Sequence, residues 1–301
     1  MTHRVILDTD LGSDVDDALA LGVLLGSPEV ELVGVTTVYG DTALRARLAA
    51  RLARLAGREI TAVAGRRRPL SGREVWWAGH EGGSFDDLAD EPITGDDGVG
   101  YLVDTVLAAP GAIDLVAIGP LTNVAAAIRA DERFAGALRH LYVMGGRFDP
   151  APSADRSVPG GAGGPGAEHN FRSDATAASL VYAAGIRSTT TGLDVTTTVR
   201  LGPAAVDRIA GAGALGAALR SEIEQWWRFR GERGNVPHDP LTVLTMLVPD
   251  LFGYASGAVS VDGESGVSTF AAGPGPARVA TAVDAAGAVA AVVDRIVAAG
   301  G

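Results

Sequence analysis

Short apolar runs alternate along the chain with longer stretches in which leucine and alanine recur at helical spacing. The runs at 5–7, 30–38, 60–64, 113–118, 140–144 and 186–191 read as strands. Helices are predicted after Asp16, over 43–55, from Pro120 and from Ser173. Most of these runs are predominantly apolar, as expected of strands covered on both faces, with 186–191 (Ile-Arg-Ser-Thr-Thr-Thr) the polar exception. The pattern therefore predicts an α/β fold, a mainly parallel, Rossmann-like open sheet flanked by helices. Ligands of such sheets bind beyond the carboxyl ends of the strands, so the polar residues that follow each run are the candidates for chemistry.

Two stretches break the rhythm. Residues 65–97 hold Pro69, Trp76, Trp77, His80 and Glu81, and residues 149–167 are dominated by Pro, Gly, Ala and Ser. Loops this long inside a compact domain are usually lids or binding loops. Residues 222–233 carry Trp226 and Trp227 on a helix predicted to end near Gly234, and 285–299 read as an apolar helix that closes the fold. Neither a repeat nor a linker stands out, so 1–301 reads as one domain.

Composition narrows the chemistry. Cysteine is absent from the 301 residues, which excludes disulfides, zinc-thiolate sites and a thiol nucleophile. All 25 basic residues are arginine. A Walker lysine, a Schiff base and a lysine general base are therefore excluded as well. The net charge of −11 argues against a nucleic-acid or membrane partner, and the run Arg66-Arg67-Arg68 reads as solvated surface. No apolar run approaches the roughly 18 residues of a membrane span, and the first residues lack a secretory pattern, so a cytoplasmic location is expected.

Five carboxylates crowd the end of the first run: Asp8, Asp10, Asp14, Asp16 and Asp17. Unpaired, they would repel one another until at least one became neutral. A hard divalent cation resolves the conflict, and calcium accepts the irregular oxygen shell that loop carboxylates provide. Asp16 and Asp17 alone could serve a helix N-terminus, but that leaves Asp8 and Asp10 on the strand unexplained. Polar groups follow later strands too: Tyr39-Gly40-Asp41, Gly119-Pro120-Leu121-Thr122-Asn123, Met144-Gly145-Gly146, Glu168-His169-Asn170 and His238-Asp239-Pro240.

Taken in this order, these segments, with Asp174 and 249–252, resemble the calcium-dependent nucleoside hydrolases of the inosine-uridine preferring type over nearly the whole chain. The resemblance implies hydrolysis of an N-glycosidic bond to free base and ribose through an oxocarbenium-like sugar. It implies that a calcium-bound water attacks, with Asp10 as base and ligand, Asp17 and the Thr122 carbonyl as ligands, and Asp239 as a ligand that also holds a ribose hydroxyl. Asp14 or Asp16, with Asn170, would meet the ribose diol. Glu168 would reach toward the 5′ side, and Met144 would pack under the sugar. His238 matches the acid that serves the leaving base, and His80 is a second candidate. Trp76, Trp77, Trp226 and Trp227 could stack on the base, one of each pair packing in the core. A small-molecule nucleoside partner and a homodimer or homotetramer also follow.

The chain departs from the pattern in three places. Asp14-Val15 precedes the Asp16-Asp17 pair, leaving Asp14 and Asp16 as alternatives for one role. Asp41 stands where asparagine is common, beside the ribose or metal. Ala162 occupies the position of a 5′-hydroxyl-binding asparagine, which implies altered or relaxed 5′ recognition. Two other readings stand beside this one. A phosphohydrolase built on Asp8-Thr9-Asp10 would normally need a lysine, and a non-catalytic nucleoside or sugar sensor would not need an intact Asp10, His238 and Asp239.

Overall fold

The computed structural model describes residues 2–148 and 166–301. Nine strands form one sheet: β1 (His3–Thr9), β2 (Val30–Thr37), β3 (Ala62–Ala64), β4 (Ile113–Ala117), β5 (His140–Met144), β6 (Ser188–Thr191), β7 (Phe252–Val261), β8 (Ser268–Ala272) and β9 (Ala277–Val283). Their order is β3-β2-β1-β4-β5-β6-β9-β7-β8. Strands β1 to β6 and β9 run parallel, and β7 runs against both β9 and β8.

The apolar runs do what strands covered on both faces require. Val5 and Leu7 enter one core and Ile6 the other, and all three are fully buried. The first core is covered by the helices Asp16–Leu25, Gly213–Arg230, His238–Leu247 and Ala285–Gly300. The second is covered by Gly98–Ala108, Thr122–Ala130 and Ala175–Ala183. At the end of the Asp16–Leu25 helix, a Cβ on Gly26 would lie 1.8 Å from the Arg295 carbonyl oxygen. Only glycine lets the C-terminal helix seat this closely on the helix that carries two of the candidate carboxylates. Among the described residues no helix is long and apolar enough to cross a membrane.

Five elements differ from the sequence expectation. The strands β7, β8 and β9 were not predicted, because they are half-buried and rich in Gly, Ala and Ser; in β7 the side chains beyond Gly257 alternate between buried and exposed. The helix Gly98–Ala108 starts on Gly-Val-Gly, which reads as loop, and is capped by Asp97 accepting from the Gly100 amide. The tryptophan-bearing helix starts at Gly213 and stops at Arg230, where Gly231 turns left-handed at φ 71°.

His140 opens β5, at the amino-terminal ends of the strands and remote from the carboxyl ends that carry the candidate residues. Burial, with help from Arg278, Arg187 and Arg139, pulls its pKa down to about 4. A depressed base contributes stability above its unfolded pKa of about 6.5 and loses it as pH falls toward the folded value. His140→Gln, which cannot titrate, should therefore lose about 1–2 kcal/mol less than the parent between pH 7 and pH 4.5, after allowance for solvent screening. Urea unfolding at the two pH values measures this. Equal acid losses in both proteins would contradict it.

Candidate active site

In the sheet order the chain winds outward from β1 in both directions, through β2 and β3 on one side and β4 onward on the other. The crevice between β1 and β4 is thus the topological switch point, where a doubly wound sheet opens a ligand site. Asp10 lies there. A Cβ on Gly119, just past β4, would stand 2.8 Å from Asp10 Oδ1, so the glycine makes room for the carboxylate. Burial pushes the Asp10 pKa up to about 6, against the pull of Arg45.

Asp8, two residues earlier, is fully buried. Its Oδ1 accepts from Thr36 Oγ1 at 2.6 Å and Asn123 Nδ2 at 2.7 Å, which ties β1 to β2 and to the start of the helix after β4. Burial raises its pKa to about 7. Asn123 also donates to the Thr37 carbonyl and accepts from the Arg66 amide, so it fixes three segments at once.

Beyond β1 the chain turns through Gly12, at φ 122°, into the helix Asp16–Leu25. Asp16 and Asp17 occupy its first turn, and Asp239 occupies the first turn of His238–Leu247, which packs alongside. One oxygen from each of these three buried carboxylates lies within 4.8 Å of the others. Thr9 Oγ1 donates to Asp17. Burial first, and then repulsion among Asp10, Asp14, Asp16, Asp17 and Asp239, drives the pKa values of Asp16, Asp17 and Asp239 well above the carboxylate range. Among the described residues no basic side chain forms an ion pair with any of the three. Converging buried oxygens without a protein cation fit a hard divalent ion. Asp14, less buried, accepts from the Val15 amide, and burial pushes its pKa up to about 7.

The other strand ends supply the remaining polar groups. Asn170 Nδ2 donates to the Ile118 carbonyl at 2.7 Å and toward the Met144 carbonyl at 3.3 Å, bridging the ends of β4 and β5. Met144 is buried beneath it. Glu168 caps the helix His169–Ser173: its Oε1 accepts from the Asn170 amide, and its Oε2 accepts from the Phe171 and Gly146 amides. Burial brings its pKa up to about 6. Thr122 Oγ1 donates to Asp174, which also accepts from the Leu70 and Ser71 amides. Asp41 caps the helix Thr42–Leu55 by accepting from the Leu44 amide. Ala162 lies outside the described residues.

Aromatic groups form one wall. The Trp226 ring stacks on Phe229 at 5.4 Å, and His80 meets Phe229 edge-on at 5.0 Å. Trp76 meets Phe229 at 6.2 Å and His169 at 5.7 Å. His238, at the start of its helix, pairs through Nδ1 with Thr196 Oγ1 at 2.7 Å. The other two tryptophans stand apart. Of the 226/227 pair Trp226 is the buried core member, while Trp227 is partly buried against the core and donates from Nε1 to Asn235; in the 76/77 pair neither ring packs in the core. Trp77 is not a core residue: it is 37% exposed and rests over the Arg45 guanidinium.

Sequence reasoning gave no role to Phe229, Arg45 or Asn123. Arg45 had a signal, since it falls on the same helix stripe as Ala49 and Leu52 and is, like them, fully buried. Phe229, three residues beyond Trp226 on one helix, shares its face by the same spacing.

The chain matches the family model for inosine-uridine preferring nucleoside hydrolase over residues 5–290. It is 31% identical to a probable uridine nucleosidase 2 of Oryza sativa subsp. japonica, over 86% of this chain and 78% of that one. It is also 31% identical to the non-specific ribonucleoside hydrolase RihC of Salmonella newport, over 86% and 83% of the two chains. A solved plant nucleoside hydrolase superposes with a TM-score of 0.83 at 28% identity, covering 98% of this chain and 99% of the other. The carboxylates gathered at the β1/β4 crevice thus stand in a chain that belongs to the inosine-uridine preferring nucleoside hydrolases, enzymes that cleave a ribonucleoside into free base and ribose.

Proposed function

We propose that the crevice hydrolyses the N-glycosidic bond of purine or pyrimidine ribonucleosides with the help of one calcium ion. The observation that carries the reading is the convergence of buried Asp16, Asp17 and Asp239 near Asp10, whose electrostatic influence reaches all three. Asp10, Asp17, Asp239 and the Thr122 carbonyl would hold the ion, and the proximity of Asp16 to Asp17 and Asp239 supports adding it to the set. Such an ion orients a water and lowers its pKa.

Asp10 accepts the proton of the attacking water. With Asp16 turned toward the ligand group, Asp14 is left to bind the ribose diol together with Asp239 and Asn170. Met144 packs under the sugar. Glu168 Oε1, engaged by a single amide among the described residues, keeps a lone pair for the 5′ side. Electrons displaced from the C–N bond move onto the base. His238 supplies the proton or hydrogen bond that absorbs them; His80, whose Nε2 donates to the Ser13 carbonyl, serves as a second donor only when its other ring nitrogen is protonated as well. Trp76 and Trp226, joined by Phe229, offer the surface on which the base stacks, while Trp77 and Trp227 support the wall from outside. We further assign the protein to the cytoplasm as a homodimer or homotetramer.

The test is a screen of natural nucleosides for base release, with and without chelator, that includes inosine beside 5′-deoxyinosine. Release that stops on chelation and returns with calcium is expected. Binding without release from any nucleoside would favour the sensor reading. A strong preference for inosine over its 5′-deoxy analogue would count against relaxed 5′ recognition.

A further inference from the structure

Ser13 joins the carboxylate loop to the tryptophan-bearing loop through two hydrogen bonds and meets Arg45 through a third. Its carbonyl accepts from His80 Nε2 at 2.8 Å, its hydroxyl donates to Glu81 Oε1 at 2.7 Å, and the same hydroxyl accepts from Arg45 Nη2 at 3.3 Å. Glu81 is itself buried. It also accepts from the Ala78 amide at 2.7 Å and the Gly79 amide at 2.8 Å, so one carboxylate folds the 76–81 segment and fastens it to Ser13.

Arg45 completes the connection from below. This fully buried guanidinium donates to the carbonyls of Asp10 and Leu11, the latter at 2.8 Å, and from Nε to the Tyr39 carbonyl at 2.7 Å. Its face lies 4.8 Å from the Trp77 ring centroid. Tyr39, held at φ 69°, accepts at its hydroxyl from the Trp76 amide at 2.7 Å. A buried cation surrounded by carboxylates would be expected to pair with one of them. Arg45 instead spends its donors on backbone carbonyls and a hydroxyl, and so fixes the path of the loop while offsetting the charge of Asp10 and Asp17 only through space.

We propose that Arg45, Ser13 and Glu81 are positioning residues that lock the 76–81 segment to the carboxylate loop, so that cation binding and ordering of the aromatic wall form one coupled event. The proposal rests on the cation reading of the site. Repulsion among unloaded carboxylates acts on the backbone of 10–17, and Ser13 lies within that backbone. Any displacement there must stretch the bonds to His80 and Glu81. Conversely, a firmly held 76–81 segment pre-organises the loop for the ion, as residues bonded behind metal ligands do elsewhere.

Trp76 and Trp77 flank the network and report on it. Calcium would be titrated into chelator-stripped parent protein, Ser13→Ala, Glu81→Ala, Glu81→Gln and Trp77→Phe, following tryptophan emission and calorimetric heat, with thermal unfolding and nucleoside kinetics alongside. In the parent, emission should change with the same midpoint as the heat, and Trp77→Phe should remove much of that change. Glu81→Ala and Ser13→Ala should weaken calcium binding by about 10–100-fold, lose the emission response, and raise KM more than they lower kcat. Glu81→Gln should recover part of the affinity, since its amide oxygen can still accept from Ser13 and Ala78. Should Glu81→Ala not fold, Ser13→Ala carries the same comparison.

A purely structural role would move the unfolding temperature alone. Calcium affinity within about twofold of the parent in both alanine variants would overturn the coupling, and so would an undiminished emission change. Failure of the parent itself to bind calcium and cleave nucleosides would instead remove the reading of the site, and this proposal with it.

Discussion

Replacing Asp10 by asparagine should lower kcat by about 10³-fold, the middle of the range for loss of a general base, while leaving the fold intact. The substitution keeps shape and removes only the ability to take a proton and to bind a cation as an anion. The packing around Asp10 makes the experiment clean. Gly119 leaves the carboxylate room without contacting it through a side chain, and Arg45 bonds to the Asp10 carbonyl rather than to its carboxylate. Such a rate loss corresponds to about 4 kcal/mol of transition-state stabilisation.

Asp8→Asn is the matching control. Thr36 and Asn123 both donate to Oδ1, which an asparagine oxygen can replace, so activity should stay within about tenfold of the parent. Steady-state kinetics with thermal unfolding of both variants decide the matter. An Asp10→Asn enzyme that keeps more than a tenth of the parental kcat would exclude Asp10 as the base.

The parallel half of the sheet could be read from the chain because burial on both faces leaves an unbroken apolar run, as in Val5, Ile6 and Leu7. The edge formed by β7 and β8 could not, since strands with one wet face and many small residues look like loop. The candidate site divides along the same line. Asp8, Asp10, Asp16 and Asp17 announce themselves by crowding within ten residues, whereas Asp239 lies more than two hundred residues away. No spacing rule joins Asp239 to them. Only the resemblance did so, and the packing of two helix N-termini brings the oxygens together. Arg45 carries a lesson in the other direction. Its place on an apolar stripe is a signal of burial, but most of its partners are backbone carbonyls, that of Tyr39 just ahead of its helix and those of the distant Asp10-Leu11 turn, and backbone acceptors leave no trace in a sequence.

The stability gained from calcium should shrink as pH falls, and by more than any single carboxylate would produce. Burial raises the pKa of Asp8 and Asp14 to about 7 and of Asp10 to about 6, and those of Asp16, Asp17 and Asp239 rise well above the ordinary value. For an acid whose folded pKa exceeds its unfolded one, the folded state binds the extra proton. Its contribution is fully present below the unfolded value, near 4, and is lost as pH rises through the folded value. The calcium-free protein therefore carries its greatest electrostatic burden at about pH 8 and sheds part of it by about pH 5.5. Calcium removes the same burden at high pH, contributing about 2.7 kcal/mol at a hundredfold excess over Kd. At low pH it must displace protons to bind, and its affinity falls. Thermal unfolding with excess calcium and with chelator, at several pH values, isolates the effect: groups elsewhere, His140 among them, titrate alike in both samples and cancel in the difference. The gap between the two unfolding temperatures should be widest near pH 8 and close toward pH 5.5. A gap that stayed constant or widened on acidification would mean that these carboxylates are not where the ion binds.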